Sequence, residues 1–402
     1  MTSPKLDPEL LLARWARTLQ SSALQDMLSA ATKPGIVSFA LGLPAPELFP
    51  SAGLAEAAAH VVSTDLQALQ YNPPFNALKT HVVKLMALRG VKCTERQIFL
   101  TAGAQQGLNL LTRLLLDPGG GVLLEELAYP GFQQVIEPYL PEKWLVPTDP
   151  QTGMDVVAVE RLLSRGFRPA FIYAIADGHN PMAVSMSLKK RELLVSLARS
   201  YSIPIIEDDP YGFLYYSDKP LPPLRSFDEN WVFYLGSFSK ILAPSLRAGW
   251  VVAPEALLPK LGTVKEASDI NAAPLSHRII AAYLDSCDIE QRLAMLRREY
   301  DKRRRRMVDV LREQFPASAR WEEPSTGIFV WVELDNNVNT SELLREALEK
   351  ERVAFIPGNA FSVNGEQGKN CMRLNFSNVS EPLIEDGIGR LGRILDRASS
   401  LV

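Results

Sequence analysis

The chain has 402 residues, of which 47% are hydrophobic, and a formal net charge of −3. That is enough apolar material for a large core divided over two domains, and the balanced charge excludes a general affinity for nucleic acid or an anionic membrane. Three scattered cysteines, Cys93, Cys287 and Cys371, exclude a disulfide framework or a cysteine metal site.

In chain order, the N-terminus has no basic-then-apolar leader and carries Asp7 and Glu9 early. No apolar run is long enough to cross a bilayer, so a cytoplasmic place is expected. From residue 97 to 250 short apolar strands alternate with helical stretches, which predicts an α/β unit with a mostly parallel sheet covered on both faces. Strands are expected at 98–101, 121–125, 170–174, 203–206, 232–235 and 248–252, and a helix at 104–116. A long helix is predicted over 289–315. It contains the basic run Lys302-Arg303-Arg304-Arg305-Arg306, whose side chains point all round the axis and read as a solvated surface. Strands at 327–332, 353–356 and 371–376 with a helix at 341–350 predict a smaller α+β unit. The expected division is an N-terminal segment to 50, a large domain 51–290 and a small domain 291–402.

Four stretches carry chemistry. Gly236-Ser237-Phe238-Ser239-Lys240 follows a strand, with Arg247 close behind. A lysine set there among small and hydroxyl residues suits condensation with an aldehyde cofactor, with Ser237, Ser239 and Arg247 on the cofactor's phosphate. An ordinary surface lysine is the other reading. Thr101-Ala102-Gly103-Ala104-Gln105-Gln106-Gly107 ends a strand and opens a helix, an anion site or mere punctuation. Glu207-Asp208-Asp209-Pro210-Tyr211 is an acidic strand end. Arg373, in a late strand, suits bidentate capture of a carboxylate, or a buried pair with an acid.

Taken together and in this order, these stretches resemble the pyridoxal-phosphate enzymes of aminotransferase class I and II, in the branch of 2-aminoadipate, kynurenine and aromatic aminotransferases. The resemblance runs from about Ile36 to about Phe376 and implies the fold type I architecture of that family. It implies that Lys240 carries pyridoxal 5'-phosphate. Asp208 faces the ring nitrogen, while Tyr211 and Asn180 bond the ring's phenolate oxygen. Tyr129 stacks on the ring, and Gly103, Ala104 and Gln105 hold the phosphate with Ser237, Ser239 and Arg247. Arg373 takes the substrate's α-carboxylate. Leu69-Gln70-Tyr71-Asn72-Pro73 resembles the segment whose tyrosine reaches the partner subunit's cofactor. Phe39-Ala40-Leu41-Gly42-Leu43-Pro44 resembles the loop that closes over substrate. Both imply a homodimer with shared sites.

The chain departs from the family at several points. Ala104 stands where relatives carry a hydroxyl. His179, Met182 and Ala183 flank Asn180-Pro181 in place of the usual run, and Asn76 replaces a glycine. His179 reads either as a proton carrier at the substrate or as a packed loop residue. Gln25 stands where several relatives place an arginine that meets a distal acidic group, which points to neutral or aromatic amino acids as substrates. The expected reaction is amino transfer between an L-amino acid and a 2-oxo acid. The alternative is elimination, cyclisation or oxidation on the same fold. A transcription regulator is not expected, because the stretch before Ile36 is too short for a winged-helix module.

Overall fold

The computed structural model describes residues 11–18, 33–71, 75–217, 219–270 and 273–399. Seven strands form the central sheet: β1 (Ile98–Thr101), β2 (Gly121–Glu125), β3 (Glu142–Val146), β4 (Phe171–Ala174), β5 (Ile205–Asp209), β6 (Val232–Ser237) and β7 (Gly249–Val252). Their spatial order is β1-β7-β6-β5-β4-β2-β3. All run parallel except β7, which is antiparallel to both its neighbours. Strands β4 to β7 are buried at every residue, as expected when helices cover both faces, and β5 carries its acidic end into that buried layer.

Alternation along each strand divides the core between the two faces. Tyr173, Ile206 and Phe233 pack with Leu108 of α1 (Ala104–Leu115) and Phe132 of α2 (Pro130–Ile136). Ile172, Ile205 and Val232 pack on the other face with Val159, Leu194 and Leu197.

The C-terminal part has its own core around α3 (Ile289–Gln314), β8 (Phe329–Glu333), β9 (Ile356–Pro357), β10 (Cys371–Asn375) and α4 (Glu381–Ser399). Its three-stranded sheet is antiparallel, in the order β8-β10-β9. The N-terminal segment is stitched to this part. Val37–Ser38 pairs with Val353–Ala354, and Asn375 N donates to Phe39 O at 2.8 Å. Phe39 itself is fully buried in the C-terminal core.

The differences from expectation have physical reasons. Strand β3 is an edge strand, exposed or half-buried over its first four residues and buried only at Val146, so it lacks the buried run that marks the inner strands. The stretch expected as one strand at 353–356 is two, Val353–Ala354 and Ile356–Pro357, which belong to different sheets. The helix expected at 341–350 is α-helical over Thr340–Glu346 and closes with a π turn over Ala347–Glu351. The basic run is not a solvated surface throughout. Arg303 and Arg304 are buried, Arg303 bonded to Ser377 O and Glu47, and Arg304 to Asp301 and Glu323. Among the described residues no helix is long and apolar enough to cross a membrane.

Candidate active site

A cavity of about 300 Å³ lies at the carboxyl ends of the sheet strands, closed on its far side by residues of the C-terminal part. That is where an open parallel sheet offers a crevice. The turn after β6 brings Ser237, Ser239 and Lys240 to its wall, β5 brings Asp208 and Tyr211, and β10 brings Arg373.

The acidic strand end of β5 divides its three carboxylates among different tasks. Glu207 accepts from the backbone N–H groups of Leu224 and Arg225 at 2.7 and 2.9 Å, and burial pushes its pKa up to about 8. Asp209 accepts from Gly212 N at 2.6 Å, from Tyr234 at 2.9 Å and from Arg89 at 3.0 Å. The first of these bonds fixes the turn that presents Tyr211. A Cβ on Gly212 would come within 2.3 Å of Arg89 Nη2, so this turn requires glycine. Asp208 alone faces the cavity. Its Oδ2 accepts from Tyr173 at 2.8 Å, while Oδ1 is buried with no partner. Burial raises its pKa to about 7, with Asp209 adding to the rise and the Tyr173 hydroxyl opposing it.

Lys240 Nζ donates to Gly42 O at 2.6 Å. Burial, helped by the charges of Arg373 and Arg247, lowers its pKa to about 8. Arg373 is 5% exposed; it donates to Asn180 Oδ1 at 2.6 Å and to Ala40 O at 2.8 Å, and its Nε has no partner. Its guanidinium lies 4.0 Å from the Phe329 ring centroid and 4.8 Å from that of Phe361. Burial brings its pKa down to about 10. Tyr211 packs edge-on against Phe329, and burial raises its pKa.

The opposite end of the cavity is an anion cradle. Gly103 caps α1 at φ +90°, a conformation that suits glycine, and a Cβ there would lie 2.7 Å from Arg247 Nη2. The N–H groups of Ala104 and Gln105 have no acceptor among the described residues, as expected at a helix start. Arg247 is exposed at the cavity mouth and held by the carbonyls of Pro244 and Ala102, each at 3.2 Å. Ser239 N donates to Ser237 Oγ at 3.1 Å. The Gln105 side chain turns away, its Nε2 bonded to Gly131 O at 2.8 Å.

Of the residues singled out in the sequence, the structure gathers Gly42, Ala104, Gln105, Tyr129, Asn180, Asp208, Tyr211, Ser237, Ser239, Lys240, Arg247 and Arg373 around this one cavity, with Gly103 beneath Arg247. Three stand apart. His179 does not line it: the imidazole is 3% exposed, with Nε2 3.1 Å from Glu125 Oε2 and Nδ1 facing Met182 N at 3.4 Å. Nδ1 therefore accepts from Met182 N, and the ring is packed in its loop against Glu125, away from the cavity wall. Tyr71 is exposed at the surface of this single chain. Gln25 lies outside the described residues.

Sequence reasoning missed Tyr173 and the apolar wall of Leu108, Ile175, Phe329, Ile356 and Phe361. It also missed a buried cluster behind Asn180, where Asp177 pairs with Arg89 at 2.6 Å and with Arg191 at 2.7 Å. A hydroxyl within the otherwise apolar strand β4 was the available signal for the first. The cluster joins residues far apart in the chain and leaves no local mark.

The donor set fits a phosphorylated pyridine aldehyde: an amine, an open anion cradle, and a buried carboxylate oxygen still without a partner. Residues 36–391 match the family described as aminotransferase class I and II. The chain is 36% identical over 394 residues to a 2-aminoadipate transaminase of Thermus thermophilus, covering 96% of this chain and 97% of that one. It is 34% identical over 404 residues to an aromatic-amino-acid aminotransferase of Thermococcus litoralis, covering 98% and 96%. A solved α-aminoadipate aminotransferase of Thermus thermophilus, complexed with N-(5'-phosphopyridoxyl)-L-leucine, superimposes with a TM-score of 0.91 at 35% identity, over 99% of this chain and 100% of that one.

Proposed function

Since the chain belongs to the pyridoxal-phosphate-dependent aminotransferases of class I and II, we propose that its transfer of an amino group between an amino acid and a 2-oxo acid is carried by Lys240, Asp208, Tyr211, Asn180 and Arg373. The observation that carries this reading is the meeting of Lys240, Arg373 and the partnerless oxygen of Asp208 around one cavity. When bound, the cofactor supplies an aldehyde for amine exchange and a protonated ring that draws electrons from the substrate's α-carbon.

Each protein group has a task set by its surroundings. The cap of α1 with Ser237, Ser239 and Arg247 holds the phosphate; Tyr129 covers one face of the ring. Asp208 keeps a proton on the ring nitrogen, and Tyr211 with Asn180 bonds the phenolate oxygen. Arg373 grips the α-carboxylate, already oriented by Asn180 and Ala40. Lys240, with its lowered pKa, removes the α-proton as a neutral amine and returns it at the neighbouring carbon. His179 plays no part in proton transfer.

The wall of Leu41, Leu108, Ile175, Phe329, Ile356 and Phe361 supports neutral or aromatic donors. Beyond Lys240, Arg247 and Arg373, no described lining residue is cationic, so a second carboxylate would lose hydration there without a partner. The likeness to a 2-aminoadipate transaminase supports acidic donors as the second reading. The named aminotransferases among its relatives favour transfer over elimination, cyclisation or oxidation. We further propose a homodimer, supported by the exposed apolar residues Leu66, Leu69 and Tyr71. The core built mainly from C-terminal residues supports domains at 51–290 and 291–402, with Val37, Ser38 and Phe39 of the segment to 50 lying on the second. We place the protein in the cytoplasm.

The test is to add single amino acids to the cofactor-loaded protein and follow the absorption spectrum. Conversion to the pyridoxamine form identifies the donor, and borohydride is expected to fix the cofactor on the peptide holding Lys240. Label on another lysine overturns the assignment.

A further inference from the structure

Tyr173 lies on β4 opposite Ile206 of β5. Its side chain therefore shares a face with Asp208, two residues beyond Ile206, and reaches it along the diagonal between parallel neighbours. The hydroxyl donates to Asp208 Oδ2 at 2.8 Å, and the tyrosine is 3% exposed. Phe132 of α2 lies flat on its ring, with centroids 3.6 Å apart and planes 6° apart, so the ring has one position. Tyr173 does not line the cavity; Asp208 does, with its other oxygen free of partners. One oxygen is thus tied down and the other left for a ligand.

We infer that Tyr173 is a positioning residue, which holds the Asp208 carboxylate turned and charged so that Oδ1 meets the protonated ring nitrogen of pyridoxal phosphate. This rests on the assignment of Asp208 to the ring nitrogen. A hydroxyl donor favours the charged form of a carboxylate, whereas burial and a neighbouring acid favour the neutral form. Here burial and Asp209 already bring Asp208 close to neutrality in water at pH 7 with the hydroxyl in place. Without it, Oδ2 also loses its partner, the acid takes up a proton, and a neutral acid holds the ring's proton poorly.

The experiment compares the affinity of the cofactor-free protein for pyridoxal phosphate with that for 1-deazapyridoxal phosphate, in which C–H replaces the ring nitrogen. Tyr173→Phe keeps the ring on Phe132 and deletes only the oxygen. It is expected to weaken pyridoxal phosphate by roughly 10-fold or more, the loss of one hydrogen bond to a charged group, and to leave the deaza compound unchanged. In an Asp208→Asn background the same substitution is expected to cost nothing further. Equal losses for both compounds, or no loss for either, overturn the inference. Should Tyr173→Phe not fold, Phe132→Leu frees the ring while keeping the hydroxyl, and must show the same selectivity for the inference to stand. Failure of the unaltered chain to bind either compound overturns the site assignment itself.

Discussion

Two groups of charge sit side by side at the strand ends, and they are balanced differently. Behind Asn180, Arg89 and Arg191 share Asp177 and Asp209, with every carboxylate facing a guanidinium. In the cavity, half-buried Lys240 and buried Arg373, with exposed Arg247 at the mouth, converge on a single lining carboxylate, Asp208, and none of the three is in an ion pair among the described residues. A buried charge without a counterion is costly to the fold. The first group ties loops together; the second keeps an excess of positive charge, which two anions, a phosphate and a carboxylate, would relieve. Burial alone therefore does not distinguish framework from site, whereas charge balance does.

The comparison is easiest to break with Lys240→Ala. Turnover is expected to fall by on the order of 10^4-fold or more, as for loss of a combined base and nucleophile, while the melting temperature of the cofactor-free protein holds or rises. A fall in that temperature would show that the lysine belongs to the framework. Asp177→Ala tests the other group: it leaves the buried Arg191 without an acidic partner, while Arg89 keeps Asp209, and should destabilise the cofactor-free protein by about 3–5 kcal/mol, read from denaturant unfolding. A loss below about 1 kcal/mol would be the size of an exposed pair and would remove the contrast.

Arg373→Ala should weaken amino acid binding by about 2–5 kcal/mol, the loss of a desolvated charge pair, with bound cofactor kept and stability not reduced. An unchanged apparent affinity would put the carboxylate elsewhere. The pH dependence of Lys240 sharpens the picture. Its folded pKa, lowered to about 8, lies below the ordinary lysine value of 10.5, so the neutral amine is scarce below pH 8 and dominant above it. Capture of pyridoxal phosphate should accelerate with pH with a midpoint near 8 and level off above it; a rise continuing to pH 10 would mark an unperturbed lysine. The smallest effect concerns donors: leucine or phenylalanine should exceed glutamate by roughly 10-fold in kcat/KM, within the range that apolar pockets achieve, and the reverse order would favour the second reading.

Much of this was legible in the sequence because the chemistry sits in short stretches. The phosphate turn, the acidic strand end and the lysine loop each place several cavity residues within a few positions, next to strands whose apolar runs mark them. What escaped depends on distant pairing. Asp177 and its two arginine partners come from three separate elements, and Tyr173 gains its meaning only from the register of β4 against β5. His179 was ambiguous because nothing near it in the chain announces Glu125. The basic run misled because average helix geometry does not say which residues a neighbouring segment will cover. Glu47 and Ser377 O capture Arg303, and Asp301 with Glu323 captures Arg304.

The stitching of the N-terminal segment has a mechanical consequence. Val37–Ser38 is hydrogen-bonded into the C-terminal part, Phe39 lies against Gly387 of α4, and Asn375 holds the carbonyls of both Leu41 and Leu43. Gly42 and Arg373 are therefore two teeth of one jaw, although 331 positions separate them in the numbering from Gly42 to Arg373. Any hinge rotation of that jaw against the seven-stranded sheet moves both teeth by one lever. An opening rotation would lengthen the Lys240 contact to Gly42 O and the Asn180 contact to Arg373 in the same stroke.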